Sequence, residues 1–112
     1  MLLYMPDEQL HTFIACLSLG TLHAIRTGIL DTDAGIWSLA SPSLLGPLRS
    51  NPHVPNELIE VLESCDELSA IQQMMPQRLQ GVITETITRI ESQLSEAQPN
   101  IWRVHWDLQR SQ

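Results

Sequence analysis

Between Leu10 and Ile25 the chain runs for sixteen residues without a formal charge. Leu10, Phe13, Ile14, Leu17, Thr21 and Ala24 share one helical stripe, and Leu19, Leu22 and Ile25 make the other faces apolar too. A helix that is apolar nearly all round has to be surrounded by others, so the pattern predicts a first helix from Pro6 to Thr27 at the centre of a helical assembly. The stretch is shorter than a bilayer span and carries His11, Ser18, Gly20 and His23, which argues against a membrane element. Nor does it read as a secretory signal, because Asp7 and Glu8 stand where a basic region would be needed. A cytoplasmic location is the expectation.

A chain of 112 residues is large enough to bury one continuous core without a metal or disulfide framework, so a single helical domain over residues 1–112 is expected. Only 4% of the residues are aromatic, which leaves Leu, Ile, Val and Ala to build the core. Cys16 and Cys65 fall on helical segments and read as reduced, buried thiols, with a disulfide between them as the alternative.

After the first helix, Gly28 stands where a C-terminal glycine ends a helix, and Asp31 where an N-cap begins the next. Thr32 to Leu39 or Ala40 then form a short helix presenting Ile36, Trp37 and Leu39. Ser41 and Pro42 repeat the pattern of cap and first-turn proline for a further turn ending near Gly46 and Pro47. RSNPHVPN, residues 49–56, is the clearest loop. From Pro55 or Asn56 a helix runs to about Ser64, with a break at Cys65 and Asp66 and a continuation to Met74 or Met75. Pro76 opens a long helix to about Ala97, marked by Leu79, Ile83, Ile87, Ile90 and Leu94.

Beyond Pro99 the period changes. Trp102, Val104, Trp106 and Leu108 alternate with Arg103, His105, Asp107 and Gln109, the pattern of a half-buried strand. A helix capped by Asn100, with Ile101, Val104, His105 and Leu108 on one face, fits the same residues. Met1 to Met5 is the only other short apolar run that such a strand has for a partner. The expected fold is therefore mainly α: a compact bundle of three main helices plus short helices, with a C-terminal segment open to a β-strand.

Thirteen acids oppose six arginines and no lysine, for a formal net charge of −7. Eight of those acids lie between residues 51 and 98 against two arginines. Such a surface repels a phosphate backbone and argues against nucleic-acid binding. On a continuous helix Leu58, Val61, Leu62, Cys65 and Leu68 share one face, and Glu57, Glu60, Glu63 and Glu67 lie opposite. Glu57, Glu60, Glu63, Asp66 and Glu67 are the candidate contacts to a basic partner, whose complementary potential would speed association. The bland alternative is a solvated face that confers solubility. Trp102 and Trp106 are candidate anchors for that interface, or core residues packed back onto the helices.

Catalytic and metal constellations are harder to assemble. Asp31 and Asp33 followed by Gly35 look like the start of a calcium loop, but the glycine comes one place early and Pro42 stands where the closing glutamate belongs. Cys16 and His23, seven residues apart on one helix face, are separated by about 10 Å along the axis, too far for a nucleophile and its base. His11, His23, His53 and His105 are scattered without zinc-ligand spacing, so neither a metal nor a cofactor is expected.

Three functional classes remain. The favoured one is a non-enzymatic protein-binding module that masks a basic partner such as a toxin, alone as a monomer. The second is a small enzyme or ligand-binding domain with a pocket where His23, Asp31, Asp33 and Trp37 converge. The third is a helical homodimer acting as an adaptor, with the C-terminal alternating segment pairing across the dimer axis.

The stretches LGTLHAIRTGIL, residues 19–30, and GIWSLASPSLLGPL, residues 35–48, resemble small bacterial helical proteins of unknown function over the first half of the chain. In size and charge the chain is also similar to the immunity proteins that guard a cell against nuclease-type toxins. That likeness implies a masking role and assigns no residue.

Overall fold

The structure, a computed structural model, describes residues 2–4, 9–96 and 105–107. The chain begins with strand β1 (Leu2–Tyr4) and helices α1 (Leu10–Arg26), α2 (Thr32–Ala40) and α3 (Pro42–Arg49). After a loop, α4 (Asn56–Ser64) passes through a 3-10 turn (Cys65–Glu67) into α5 (Leu68–Met74), followed by α6 (Pro76–Glu96) and β2 (His105–Asp107). The mainly helical bundle is the fold that the hydrophobic spacing predicts, with α1, the broken α4–α5 segment and α6 as its three long members.

Local chemistry sets most of the boundaries. Gly28 takes φ +79°, a left-handed conformation that costs glycine little. Its amide donates to the Ile25 carbonyl and that of Ile29 to the Ala24 carbonyl, so the full Schellman pairing ends α1. Asp31 caps α2 by accepting from the Ala34 amide at 3.4 Å.

α3 departs from the expected short turn. It continues through Gly46 and Pro47 to Arg49. Leu45 and Leu48, three residues apart, are both buried and hold the helix across the proline. The carbonyl that Pro47 leaves without its helical donor belongs to Ser43, an exposed residue. Ser41 occupies the cap position, but its hydroxyl lies 3.3 Å from that of Ser43 and not on a backbone amide.

The core is one cluster drawn from all six helices, with Leu22, Leu39, Leu48, Leu58, Leu62, Leu68, Ile83 and Ile90 each almost fully buried. Among the described residues no aromatic side chain belongs to its buried set, as the composition predicts. α6 packs most extensively on α1, and next on α5. At one end of α1, Gln80 donates to the Arg26 carbonyl at 3.0 Å and Arg26 donates to the Thr84 hydroxyl at 3.3 Å. α1 itself is less enclosed than its sequence predicts: Ile14, Ala15, Ser18, Leu22 and Ile25 are buried, whereas Leu17 is half exposed. Ser18 tolerates burial because its hydroxyl donates to the Ile14 carbonyl at 2.7 Å.

β1 and β2 pair antiparallel, with Leu2 opposite Asp107, Leu3 opposite Trp106 and Tyr4 opposite His105. The ladder partner of the C-terminal segment is thus the N-terminal apolar run of the same chain.

α1 and α2 cross closely at Gly35, where a Cβ would overlap the Cγ1 and Cδ1 atoms of Ile25. Ile25 is itself buried and has little room to swing aside. Gly35→Ala should therefore destabilise by about 1 kcal/mol, an overpacking cost of about 1–3 offset by about 1 of helix propensity. Gly20 lies in α1 with nothing within 4 Å of a Cβ position, so Gly20→Ala should stabilise by about 1 kcal/mol. Thermal unfolding of the two variants checks the opposite signs.

Candidate partner-binding face

α4 separates its two chemistries cleanly. Leu58, Ile59, Val61 and Leu62 are buried, while Glu57, Glu60 and Glu63 are exposed. Steps of three residues fall back by about 60° on an α-helix, so these carboxylates spread over the outer half of α4. The following 3-10 turn has about three residues per turn, which brings Asp66 round toward the Glu63 side. Cys65 turns inward and Glu67 outward. Five exposed carboxylates thus occupy residues 56–67, a segment without a cation.

Their local partners differ. Gln93, on α6, donates its amide to Glu57. Arg49, at the end of α3, donates from Nε at 3.2 Å and also from Nη2 to Oε1 of Glu63. This is the only ion pair among the described residues, so Glu60, Asp66 and Glu67 have no cation within ion-pair distance there. Arg89 of α6 lines one shallow groove with Glu57 and Glu60 and another with Glu67 and Glu85. Glu63 lies near the C-terminal end of α4, where the helix dipole disfavours an anion, and Asp66 and Glu67 lie at the start of α5, where it favours one. Arg49 offsets the first of these effects.

Beside this face α2, α3 and α4 enclose an open depression of about 480 Å³, lined by Trp37, Ala40, Pro42, Leu45, Arg49, Glu63 and Asp66. α2 buries Ile36 and Leu39, three residues apart, and leaves Trp37 70% exposed. The structure thereby joins Trp37, which the sequence placed in a separate pocket, to Glu63 and Asp66 of the acidic face. Arg49 is a member of this site that the sequence did not single out. It stood at the edge of a loop, and its partner lies fourteen positions away.

The convergence expected of His23, Asp31, Asp33 and Trp37 is not the arrangement seen. Asp31 lines a depression with Arg26, Gln72 and Gln80, and Trp37 lines the one just described. Six residues of helix put the two about 9 Å apart along α2 and on different faces. Asp33 accepts from the Ser69 hydroxyl at 2.6 Å, tying α2 to α5. His23 is exposed, with Nδ1 3.3 Å from Nη2 of Arg26. Trp102 lies outside the described residues, and Trp106 is placed only by its register opposite Leu3.

Cys16 and Cys65 are both free thiols. Burial pushes the Cys65 thiol up to about 11, with the Arg89 charge pulling weakly the other way, so it stays protonated near neutrality. Burial also raises Cys16, and His23, the partner considered for it, is exposed. Among the described residues no three His, Cys, Asp or Glu side chains gather as a metal site, and no helix is long and apolar enough to cross a membrane.

Residues 6–106 match the model of a family described as "Protein of unknown function (DUF3969)". The match takes in both stretches that carry the resemblance to helical proteins of unknown function and extends well past the first half of the chain. No curated protein and no solved structure matches.

Proposed function

The chain belongs to the DUF3969 family, and for it we propose a non-enzymatic role as an acidic protein-binding module that masks a basic partner, in the manner of an immunity or inhibitor protein acting on a toxin. The observation that carries this reading is the set of five exposed carboxylates on residues 56–67, set beside the exposed indole of Trp37. Clustered charge of one sign steers an oppositely charged protein into encounter and penalises partners of the wrong sign. An exposed tryptophan next to it supplies the large apolar contact on which interface affinity commonly concentrates. Charge thus accounts for recognition at a distance and Trp37 for retention at contact.

The test is affinity capture of the tagged full chain from its native host lysate at low and moderate salt, followed by an assay of the captured protein's own activity with and without the chain. Retention of one basic protein that is released as salt rises, and whose activity the chain suppresses, is the expected result. Retention indifferent to salt, or a captured protein that is acidic, overturns the reading.

A further inference from the structure

The depression beside α4 has a composition that selects among basic partners. Ala40, Pro42 and the buried Leu45 give it apolar lining, to which the exposed Trp37 adds an indole. Glu63 and Asp66 add two carboxylates to its lining. At about 480 Å³ it lies within the range of about 300–1,000 Å³ that takes a small ligand, and so has room for one long side chain. One guanidinium is already there: Arg49 holds Glu63 through Nε and Nη2, both directed at Oε1. Asp66 has no cation within ion-pair distance among the described residues.

We propose that this depression receives an arginine side chain of the basic partner, stacked on Trp37 and paired with Asp66, in competition with Arg49 for Glu63. The assignment rests on the masking role proposed above and specifies what its site recognises. Arginine fits each surface. Its methylene stem lies along Ala40, Pro42 and Leu45, its planar head stacks on an indole face, and its forked donors reach two acceptors. A lysine ammonium offers a point charge without the planar face. Arg49 then acts as an internal stand-in: it neutralises Glu63 in the free protein and has to share or yield that carboxylate when the partner docks. Both members of the Arg49–Glu63 pair are about half exposed, so parting them carries little cost.

The test uses the full-length, 15N-labelled chain and three blocked tripeptides, Gly-Arg-Gly, Gly-Lys-Gly and Gly-citrulline-Gly. The readout is the indole N–H resonance of Trp37, assigned with Trp37→Phe. The arginine peptide should shift it saturably, the lysine peptide should bind at least about fivefold more weakly, and the neutral citrulline peptide should leave it unmoved. Asp66→Asn should weaken arginine binding by about fivefold, whereas Arg49→Gln should strengthen it by about threefold, because Glu63 is freed. Equal binding of citrulline or lysine, weaker binding by Arg49→Gln, or no shift with any peptide overturns the proposal.

The outcome separates from that of the masking role. If Trp37→Ala leaves the captured partner's affinity unchanged while charge reversal on α4 still slows its association, the arginine site fails and the masking role stands. If the arginine peptide binds as described but no basic protein is captured, the masking role fails and the site stands.

Discussion

Replacing both Glu60 and Glu63 by lysine should slow association with the basic partner by about tenfold or more at low ionic strength, with the difference narrowing as salt is added. The two positions lie on the exposed face of α4, and the change shifts the charge by four units within a single turn. Encounter rates between proteins rise and fall with such complementary fields, so the effect belongs in the on-rate, read by stopped-flow mixing. Stability should move the other way or hardly at all. The Arg49–Glu63 pair that is lost has side chains 53% and 43% exposed, and pairs of that kind contribute about 0–1 kcal/mol. A lysine near the C-terminal end of α4 meets the helix dipole favourably, by about 0.3–1 kcal/mol. A variant that is at least as stable as the parent and yet associates more slowly separates the face from the fold.

Ile83→Ala should produce the opposite pattern. Ile83 is fully buried on α6, within the cluster that joins all six helices. Truncating a buried isoleucine removes transfer energy and leaves a cavity, for a loss of about 2–5 kcal/mol. In a domain of this size that lowers Tm by on the order of 10 °C or more. Association with the partner should be unchanged wherever the variant remains folded, because Ile83 lines neither the acidic face nor the Trp37 depression. Met74, 78% exposed, provides the comparison: Met74→Ala should stay within about 0.5 kcal/mol of the parent.

Elements bounded by local chemistry could be read from the sequence. Gly28 and Asp31 mark their helix ends through hydrogen bonds made within five residues, and the inward position of Cys65 between the half-buried Ser64 and the exposed Asp66 follows from the apolar spacing of α4 and α5. The stripe of Leu79, Ile83, Ile87, Ile90 and Leu94 shows α6 because each member is buried or half buried on one side. Features that depend on two distant elements could not be read in the same way. Whether Pro47 ends or continues α3 depends on what holds Leu45 and Leu48, which lies outside the local sequence. Trp37 stood with Ile36 and Leu39 as an apolar residue of α2, but only the spacing of three between Ile36 and Leu39 matches the buried side, and the indole, about 100° away from Ile36, is left outside.

The acidic face illustrates the same division. The carboxylates of residues 56–67 and their outward orientation follow from helical periodicity, so Glu57, Glu60, Glu63, Asp66 and Glu67 were visible in advance. Its boundary was not. Arg49 reaches Glu63 from α3, Gln93 reaches Glu57 from α6, and Trp37 arrives from α2, all by tertiary packing. Sequence therefore identified the charge of the surface, and packing identified the aromatic and the arginine that border it.

The central claim, that α4 and the 3-10 turn together with Trp37 form the surface that meets a basic partner, is tested most directly by mapping the complex onto the chain. The 15N-labelled protein would be titrated with the captured partner, and the amide and indole resonances that shift would be placed on the structure. The account predicts that the shifts concentrate on residues 56–67, Arg49 and the Trp37 indole. Shifts confined to the outer face of α1, around Leu17 and Gly20, with residues 56–67 unmoved, would contradict it.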